Sequence, residues 1–368
     1  MRAALLEAPN QPLVIVDDVE LASPQVGEVR VRVHHCGLCH SDLHFIDGSL
    51  PGSLPLLLGH EAGGIVEEVG PGVTDLVAGD KVILTLKAAC GRCYFCVRGE
   101  QQLCAVGGAL STGFFPDGTT RLSRGGATVH RSGVVLAAFA EETVVPASAA
   151  VKVPADTPLD VASVIGCSVQ TGVGAALNTA RVETGATVMV VGLGGIGISV
   201  VQGARLAGAS RIIGVDPNES RREQAMQFGC TDVVDPNQAA PADVAKEMTA
   251  GIGVDYAFEC VGRSALVESC LSAIRPGGTT VMIGVPKIDD RVSVLSIDHA
   301  MREKKLIGCF LGSSKPHYEF GRLLALWEAG KLDLDAMITS RRPLADINLA
   351  VADMQAGIGL RTVLDCSA

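Results

Sequence analysis

The stretch VMVVGLGGIGISVVQGARLAG, residues 188–208, decides the fold of this chain. An apolar run leads into Gly192, Gly194 and Gly197, which have the spacing G-x-G-x-x-G, and an apolar helical pattern follows. The next predicted strand, RIIGVD, ends in Asp216. A strand, this glycine turn, a helix and an acid after the second strand together predict a dinucleotide-binding βαβ unit. The glycines let the backbone approach a pyrophosphate at the helix N-terminus.

The same turn supplies the predicted cofactor contacts. Gly195 and Ile196 lie between the second and third glycines of the motif. Asp216 would accept hydrogen bonds from the adenosine ribose hydroxyls and repel a 2′-phosphate, which favours NAD over NADP. Arg221 is a further expected contact. Arg221 and Arg222 lie close to Asp216 in sequence, and their positive charges slightly weaken the preference for NAD.

The sequence on either side of this unit predicts two domains. Strands and helices alternate through VDYAFECVG, LVESCLSAIR and GTTVMIGV, which predicts a parallel doubly wound sheet. The first third of the chain contains short strands such as EVRVRVHHCG and DKVILTL, separated by glycine and proline. This pattern of short strands and frequent turns indicates a β-rich, barrel-like domain. From about residue 311 two amphipathic helices and the short strand RTVLDC are predicted.

Length, composition and net charge restrict the classes of protein to which the chain can belong. The chain has 368 residues, of which 48% are hydrophobic, enough for two domains with buried cores. Its formal net charge of −10 argues against a nucleic-acid partner. The N-terminal segment has no secretory signal pattern, and no apolar stretch approaches the roughly 20 residues that span a bilayer. We therefore expect a cytoplasmic protein with no membrane partner.

The strongest metal-binding pattern is CGRCYFCVRGEQQLC, residues 90–104. Its spacing, C-x2-C-x2-C-x7-C, suits a structural zinc, which takes four thiolate ligands. An iron–sulfur cluster is the rival interpretation, but no proline follows the fourth cysteine and nothing suggests a second cluster. The predicted zinc ligands are Cys90, Cys93, Cys96 and Cys104.

A second set of possible metal ligands is dispersed along the chain. Cys39 lies in HHCGLCHSDLHFIDG, His60 in LLLGHEAGG and Cys167 in VIGCSVQTG. Two cysteines and a histidine leave a fourth position open on zinc, which is the arrangement of a catalytic site. Spacing alone does not establish that these three residues converge.

Taken in order, these motifs resemble the zinc-dependent alcohol dehydrogenases of the medium-chain dehydrogenase/reductase superfamily. The likeness extends from GLCHSDLH through GHEAGGIVEEVG, the four-cysteine segment and VGLGGIG to GIGLRTVLD. It implies an α/β protein with a GroES-like β-rich catalytic domain over residues 1–168 and 311–368. A structural zinc lobe would occupy about 88–106, and a Rossmann NAD-binding domain 169–310. Two zinc ions per chain and NAD are the implied cofactors.

The resemblance also implies a role for each residue near the metal. Cys39, His60 and Cys167 would hold the catalytic zinc, and Glu61 would be the acid that can approach the metal. Asp42 would hydrogen-bond a ligand histidine, as is usual for the residues that orient metal ligands.

Five further residues take roles by the same resemblance. Ser41 would bond the alcohol oxygen, and His44 would pass the relayed proton to water. Thr171 would lie against the nicotinamide, and Arg361 would contact the cofactor phosphates. His40 stands where many family members have an arginine against the pyrophosphate, so we expect weaker and more pH-sensitive cofactor binding.

The implied activity is reversible hydride transfer between an alcohol and NAD, which gives an aldehyde or ketone. Leu50 and Gly108 replace the acid and arginine that hold glutathione in one subclass, so that subclass is not favoured. A formaldehyde dehydrogenase acting on another thiol adduct stays open. A non-catalytic NAD-binding structural protein stabilised by zinc is the other alternative, and the presence of Ser41 and His44 argues against it.

The predicted last strand of the sheet, in KKLIGCFLG, bears on assembly. Ile307 and Phe310 have no obvious covering segment later in the chain, and apolar edge strands are usually paired or covered. We therefore expect a homodimer in which two such edges meet, with a tetramer as the lesser possibility.

Overall fold

The computed structural model describes residues 1–109, 113–115, 117–132 and 136–367. The chain divides into two compact units, one formed by Met1–Cys167 with Lys315–Ala368 and the other by Ser168–Ser314. Among the described helices, none alone is long and apolar enough to cross a membrane. One bent pair of helices, Leu159–Gly166 with Ser168–Ala180, is long and apolar enough when its two members are taken together, by length and composition only.

Strands and helices of the described residues are numbered in chain order. The strands are β1 Ala3–Leu6, β2 Val14–Val16, β3 Glu20–Leu21, β4 Glu28–Gly37, β5 Leu56–Leu57, β6 Glu61–Val69, β7 Lys81–Leu84, β8 Leu122–Arg124, β9 Ala127–Thr128, β10 His130–Arg131, β11 Glu142–Pro146, β12 Ala150–Lys152, β13 Thr187–Val191, β14 Arg211–Val215, β15 Asp232–Val234, β16 Val254–Glu259, β17 Ile274–Met282, β18 Lys305–Gly308, β19 Ile338–Pro343 and β20 Arg361–Asp365. The α-helices are α1 His40–Ile46, α2 Tyr94–Val97, α3 Ala105–Ala109, α4 Leu159–Ser163, α5 Ser168–Gly174, α6 Gly195–Leu206, α7 Glu219–Phe228, α8 Pro241–Glu247, α9 Ser264–Ala273, α10 Ser296–Met301, α11 Pro316–Glu328 and α12 Ile347–Gln355.

The first unit is built around the long strand β4. Its main sheet has the order β12-β7-β6-β4-β20-β19, and β11 also pairs with β4. Strand β4 alternates as the sequence predicts: Val29, Val31 and Val33 are fully buried, whereas Arg30 and Arg32 point away from the core. Two smaller sheets, β10-β5-β1-β2 and β3-β8-β9, complete the β-rich unit.

The second unit is a parallel sheet of six strands in the order β15-β14-β13-β16-β17-β18. Strands β13 and β14 are almost continuously apolar after their first residue, because helices cover both faces of such a sheet. The strand order reverses between β13 and β16, and dinucleotides bind at such a switch point. The predicted α/β class and doubly wound sheet are confirmed.

The glycine turn after β13 has the predicted form. Gly192 has a φ of +90°, a conformation that favours glycine, and its N–H donates to Val215 O at 2.8 Å. A Cβ at Gly197 would collide with Gly192 O. The turn therefore closes tightly and leads directly into α6, for which Gly194 is the N-cap.

The helical stretch predicted near residues 157–180 is broken in the structure. Helix α4 passes into a 3-10 turn at Val164–Gly166, and Cys167 has a φ of −135° and a ψ of −75°. Helix α5 then begins at Ser168, and a π-helical turn follows over Ala175–Ala180. Cys167 therefore lies at a break in the helical backbone, which periodicity in the sequence does not reveal.

Candidate active site

Cys39 is held at the start of a short helix. It precedes α1 and has an extended backbone, and its N–H donates to Asp42 Oδ2 at 3.1 Å. Asp42 occupies the third position of the helix, where an acidic side chain commonly closes a capping box. The helix cap therefore fixes the backbone that carries the Cys39 thiol.

The other oxygen of Asp42 orients His60. Asp42 Oδ1 lies 3.0 Å from His60 Nδ1 and also accepts the Gly59 N–H at 3.3 Å. Because a carboxylate accepts here, the proton of the neutral imidazole belongs on Nδ1, and Nε2 keeps its lone pair. Asp42 therefore contacts the histidine that is predicted to be a ligand, and metal binding by His60 stays a prediction.

Donor atoms of Cys39, His60, Glu61 and Cys167 lie within 4.8 Å of one another, and all four residues are buried. His60 Nε2 is buried and makes no hydrogen bond with any residue that the structure describes. A buried polar atom without a partner costs free energy, and a metal ion would satisfy it. Two thiols, an imidazole and a nearby carboxylate are a donor set that fits zinc. The structure thus brings together the dispersed residues that sequence spacing could not join.

The two thiols of this cluster are not equivalent. A hydrogen bond with Cys167 holds the pKa of Cys39 well below its ordinary value, and the nearby His60 acts in the same direction. The thiolate, not the thiol, is the form that binds metals. The cluster therefore favours the charged form of one candidate ligand, Cys39.

Glu61 is paired with an arginine from the far end of the chain. Arg361 Nη2 donates to Glu61 Oε1, and Arg361 Nη1 donates to Leu38 O at 3.2 Å. Burial nevertheless raises the pKa of Glu61 to about 8. The contact of Arg361 with cofactor phosphates stays a prediction, since the structure places its guanidinium against Glu61.

Gly37 makes room for the Glu61 side chain. The two residues face each other in the pairing of β4 with β6, and a Cβ at Gly37 would collide with Glu61 Oε2. Sequence analysis missed this glycine and the ion pair between Glu61 and Arg361. The one available indication was a glycine at the end of a strand, directly before a candidate ligand segment.

Helix α1 carries the remaining predicted residues of this region. Cys39 Sγ and Ser41 Oγ are 3.8 Å apart. His44 is half-buried one turn further on, and its ring meets the edge of the exposed His40 ring, with the centroids 6.2 Å apart. The helix therefore aligns a hydroxyl and two imidazoles beside the cluster.

The four cysteines of the predicted zinc lobe also converge. Their sulfurs lie within 4.8 Å of one another. Cys104 Sγ accepts the N–H groups of Cys90 and Gly107, both at 3.3 Å. Backbone N–H groups of Cys96 and Ala105 lower the pKa of Cys93 to about 6. All twelve cysteines of the chain lie in described residues and are free thiols, so these four are available to a metal.

Asp216 lies beside the glycine turn of the candidate nucleotide site. Its buried carboxylate accepts the N–H of Leu193 through Oδ2 and that of Asn218 through Oδ1, both at 2.9 Å. Arg221 Nη1 lies 4.0 Å from Asp216 Oδ2. A Cβ at Gly194 would meet open space, so this position lies on an unfilled face of the turn.

The other predicted cofactor residues lie on two helices of the same unit. Gly195 and the half-buried Ile196 begin α6, after its N-cap. Thr171 is buried in α5, and its Oγ1 makes no hydrogen bond within the described residues. The contacts of these residues with a nucleotide stay predictions.

Two family models match most of the chain. "Alcohol dehydrogenase GroES-like domain" matches residues 25–155, and "Zinc-binding dehydrogenase" matches residues 195–329. The first match confirms the GroES-like class predicted for the N-terminal part of the chain.

The chain is also similar over its whole length to curated proteins. "S-(hydroxymethyl)glutathione dehydrogenase" of Saccharomyces cerevisiae is 39% identical over 372 residues, which cover 98% of this chain and 95% of that protein. "NDMA-dependent alcohol dehydrogenase" of Amycolatopsis methanolica is 38% identical over 370 residues, which cover 100% of this chain and 99% of that protein.

Solved structures agree with these sequence relatives. An alcohol dehydrogenase zinc-binding domain protein from Burkholderia ambifaria has a TM-score of 0.94 at 36% identity, with 99% of this chain and 98% of that chain covered. Benzyl alcohol dehydrogenase from Acinetobacter calcoaceticus has a TM-score of 0.91 at 30% identity, with the same coverage of both chains.

Replacement of Cys39 by serine should remove one metal and leave the fold intact. The hydroxyl is a poor substitute for a thiolate ligand, whereas the four-cysteine lobe is untouched. We expect zinc analysis to fall from two ions per chain to one, with an unchanged circular dichroism spectrum. Cys230→Ser, which alters a buried thiol outside both clusters, should keep both ions. Loss of both ions in Cys39→Ser would contradict the assignment.

Gly37→Ala should destabilise the protein through Glu61. The added methyl group forces the carboxylate to move, and overpacking of this kind costs about 1–3 kcal/mol of the free energy of unfolding. Urea denaturation of Gly37→Ala, Glu61→Ala and the double variant measures the coupling between the two positions. Gly37→Ala should lower the free energy of unfolding by clearly less in the Glu61→Ala background than in the wild type. Equal costs in both backgrounds would show that the two side chains do not compete for space.

Proposed function

The chain belongs to the zinc-dependent alcohol dehydrogenases of the medium-chain dehydrogenase/reductase superfamily, and we propose that it oxidises an alcohol with NAD at the Cys39–His60–Cys167 cluster. The observation that carries this proposal is His60. Its Nδ1 is hydrogen-bonded to Asp42, its Nε2 is buried without a partner among the described residues, and a nitrogen of its ring lies within 4.8 Å of the Cys39 and Cys167 sulfurs. The domain over 1–168 and 311–368 would supply catalysis, and that over 169–310 would bind NAD.

The residues around the cluster would take different roles in the reaction. Zinc bound there would polarise the oxygen of the alcohol, and NAD would accept the hydride. Asp42 fixes the positions of two ligands. Ser41 Oγ would take up the hydroxyl proton of the alcohol and pass it towards His44, which releases it to water. Ser41 suits this step because it neighbours a ligand and lies on the same helix as His44.

NAD is the favoured cofactor because of Asp216. Both of its oxygens already accept a backbone N–H, and a carboxylate has lone pairs left for ribose hydroxyls. Its charge would repel a 2′-phosphate. His40, Thr171, Arg361 and the residues of the glycine turn complete the proposed contacts.

A second zinc in the four-cysteine lobe is part of the proposal. The N–H groups that point at Cys104 and Cys93 favour thiolates, which is the state a structural zinc requires. This metal would hold the segment around α2 in place and would take no part in the reaction.

We propose that the substrate is an apolar alcohol. Leu50 lies at a position that the family resemblance places in the substrate pocket, and it is half-buried and apolar, as is Leu86. A thiol adduct of formaldehyde is the second candidate, because one relative at 39% identity is an S-(hydroxymethyl)glutathione dehydrogenase. Leu50 replaces an acid and offers no negative charge to the ammonium group of glutathione, which makes the first candidate stronger.

We further propose a homodimer formed through the edge of the parallel sheet. Strand β18 pairs only with β17 among the described strands, and Phe310 just beyond it is 50% exposed. Leu295, Ile297 and Met301 of the preceding segment are also exposed. Pairing of two β18 edges would cover both the open backbone and these side chains. A cytoplasmic location stays a prediction.

A substrate panel tests the proposed reaction. Purified protein with NAD should reduce NAD, followed by absorbance, with benzyl and long-chain primary alcohols. S-(hydroxymethyl)glutathione and NADP serve as the competing substrate and cofactor. Ser41→Ala should lose most of this activity and keep its zinc. No NAD reduction with any alcohol by the zinc-loaded protein would refute the proposal, and preference for the glutathione adduct would select the second candidate.

Asp216→Gly should shift cofactor preference towards NADP. The variant removes the charge that repels a 2′-phosphate and leaves Arg221 nearby. We expect the ratio of kcat/KM for NADP to that for NAD to rise on the order of tenfold, equivalent to about 1.4 kcal/mol. An unchanged ratio would mean that Asp216 does not meet the ribose.

Light scattering should give twice the chain mass of 38.0 kDa. Ile307→Lys, which introduces a charge into the edge strand, should convert the dimer to a monomer, because edge lysines oppose strand pairing. A wild-type monomer with full activity would contradict the edge-pairing proposal.

A further inference from the structure

Strand β19 departs from regular pairing close to the candidate active site. It is the last strand in the order of the main sheet and runs parallel to β20. Ile338 pairs with Arg361 and Ser340 pairs with Thr362, so Thr339 is an extra residue, which makes it a β-bulge. Bulges are over-represented next to active sites, where they re-aim a side chain or end the pairing. What Thr339 contacts is therefore of interest for the site.

The hydroxyl of Thr339 binds the backbone at the point where β20 begins. Its Oγ1 accepts the N–H of Leu360 at 2.9 Å and donates to Arg361 O at 3.2 Å. Gly359 lies against the same oxygen, because its φ is +70° and a Cβ there would collide with Thr339 Oγ1. A bulge interrupts the ladder of backbone hydrogen bonds, and here a side chain supplies the acceptor that an N–H needs. One hydroxyl therefore holds two consecutive residues in place.

The second of these residues, Arg361, reaches the neighbours of two candidate ligands. Its Nη1 donates to Leu38 O at 3.2 Å, and its Nη2 donates to Glu61 Oε1. Leu38 directly precedes Cys39, and Glu61 directly follows His60. The guanidinium is planar and its donors have a fixed fork geometry. A shift of the Arg361 backbone would therefore disturb both contacts together.

A purely structural role for Thr339 is the alternative. Threonine is common in strands because its branched side chain suits the pleated surface, and valine shares that preference. Thr339 is exposed, so loss of its hydroxyl would leave no cavity in the core. A valine at this position would therefore be harmless if strand stability were the only role, and harmful if the hydroxyl positions Arg361.

We propose that Thr339 is a positioning residue for Arg361, and through it for the Leu38 carbonyl and the Glu61 carboxylate beside the candidate active-site cluster. This inference rests on the proposed oxidation of an alcohol at that cluster. Thr339 would touch neither the substrate nor the metal. It would act only by holding the backbone from which the guanidinium extends.

Two variants at position 339 separate positioning from strand stability. Thr339→Val keeps the branched shape and loses the hydroxyl, whereas Thr339→Ser keeps the hydroxyl. We expect kcat/KM for alcohol oxidation to fall about tenfold in the valine variant and by less than about twofold in the serine variant, because small displacements near the reacting groups slow a reaction strongly. The urea midpoint should stay close to the wild-type value in both, because the position is exposed. Thr128→Val, at an exposed threonine of β9 outside the main sheet, is the matched control and should change neither quantity.

Hydrogen exchange supplies a measurement that does not depend on turnover. The Leu360 N–H loses its acceptor in Thr339→Val, so this amide should exchange on the order of tenfold faster than in wild type. The serine variant should keep the wild-type exchange rate.

A double variant tests the path through Arg361. Lysine cannot reproduce the planar fork of arginine, so Arg361→Lys should already weaken the two contacts. We therefore expect Thr339→Val to lower kcat/KM by clearly less in the Arg361→Lys background than in wild type.

Three results would overturn the inference. They are an unchanged kcat/KM in Thr339→Val, with or without faster exchange at Leu360, equal losses of kcat/KM in the valine and serine variants, and an undiminished effect of valine in the Arg361→Lys background. Absence of turnover in the zinc-loaded wild-type protein would instead refute the proposed function. That result is distinguishable, because it appears before any residue is changed.

Discussion

The candidate active-site cluster depends on the hydrogen bonds that the buried carboxylate of Asp42 accepts. It accepts the N–H of Cys39, the N–H of Gly59 and the Nδ1 proton of His60, and so joins the start of α1 to the segment before β6. A buried acid is tolerated when its oxygens are satisfied in this way. Cys39 and His60 carry donor atoms of the cluster, and Gly59 directly precedes His60. One side chain therefore sets the backbone of one candidate ligand and the ring orientation of another.

The same cluster depends on the last strand of the chain. Strand β20 pairs with β4, and Arg361 at its start reaches Glu61, which is 300 residues away in sequence. The absence of a side chain at Gly37 gives the carboxylate the space for that pairing. The discontinuity of the first unit is therefore a structural requirement of the site, since the C-terminal segment supplies the counter-charge that its N-terminal strands lack.

The sequence predicted best what is local in sequence. The turn at 192–197 and the cysteines at 90–104 have short-range spacing that the backbone geometry itself dictates, and both appear as expected. The meeting of Cys39, His60 and Cys167 depends on strand pairing and on a broken helix, so family resemblance was needed to predict it. Gly37 was missed although Glu61, for which it makes room, was predicted. Only the pairing of β4 with β6 shows that the two residues face each other.

We propose that Cys39, His60 and Cys167 bind a metal ion apart from the four-cysteine lobe. An anomalous difference map, recorded at the zinc absorption edge from crystals of the purified protein, would locate each bound metal. We expect two peaks per chain, one of them about 2.3 Å from both sulfurs and about 2.0–2.1 Å from His60 Nε2. A single peak within the lobe, or a second metal bound by other residues, would contradict it.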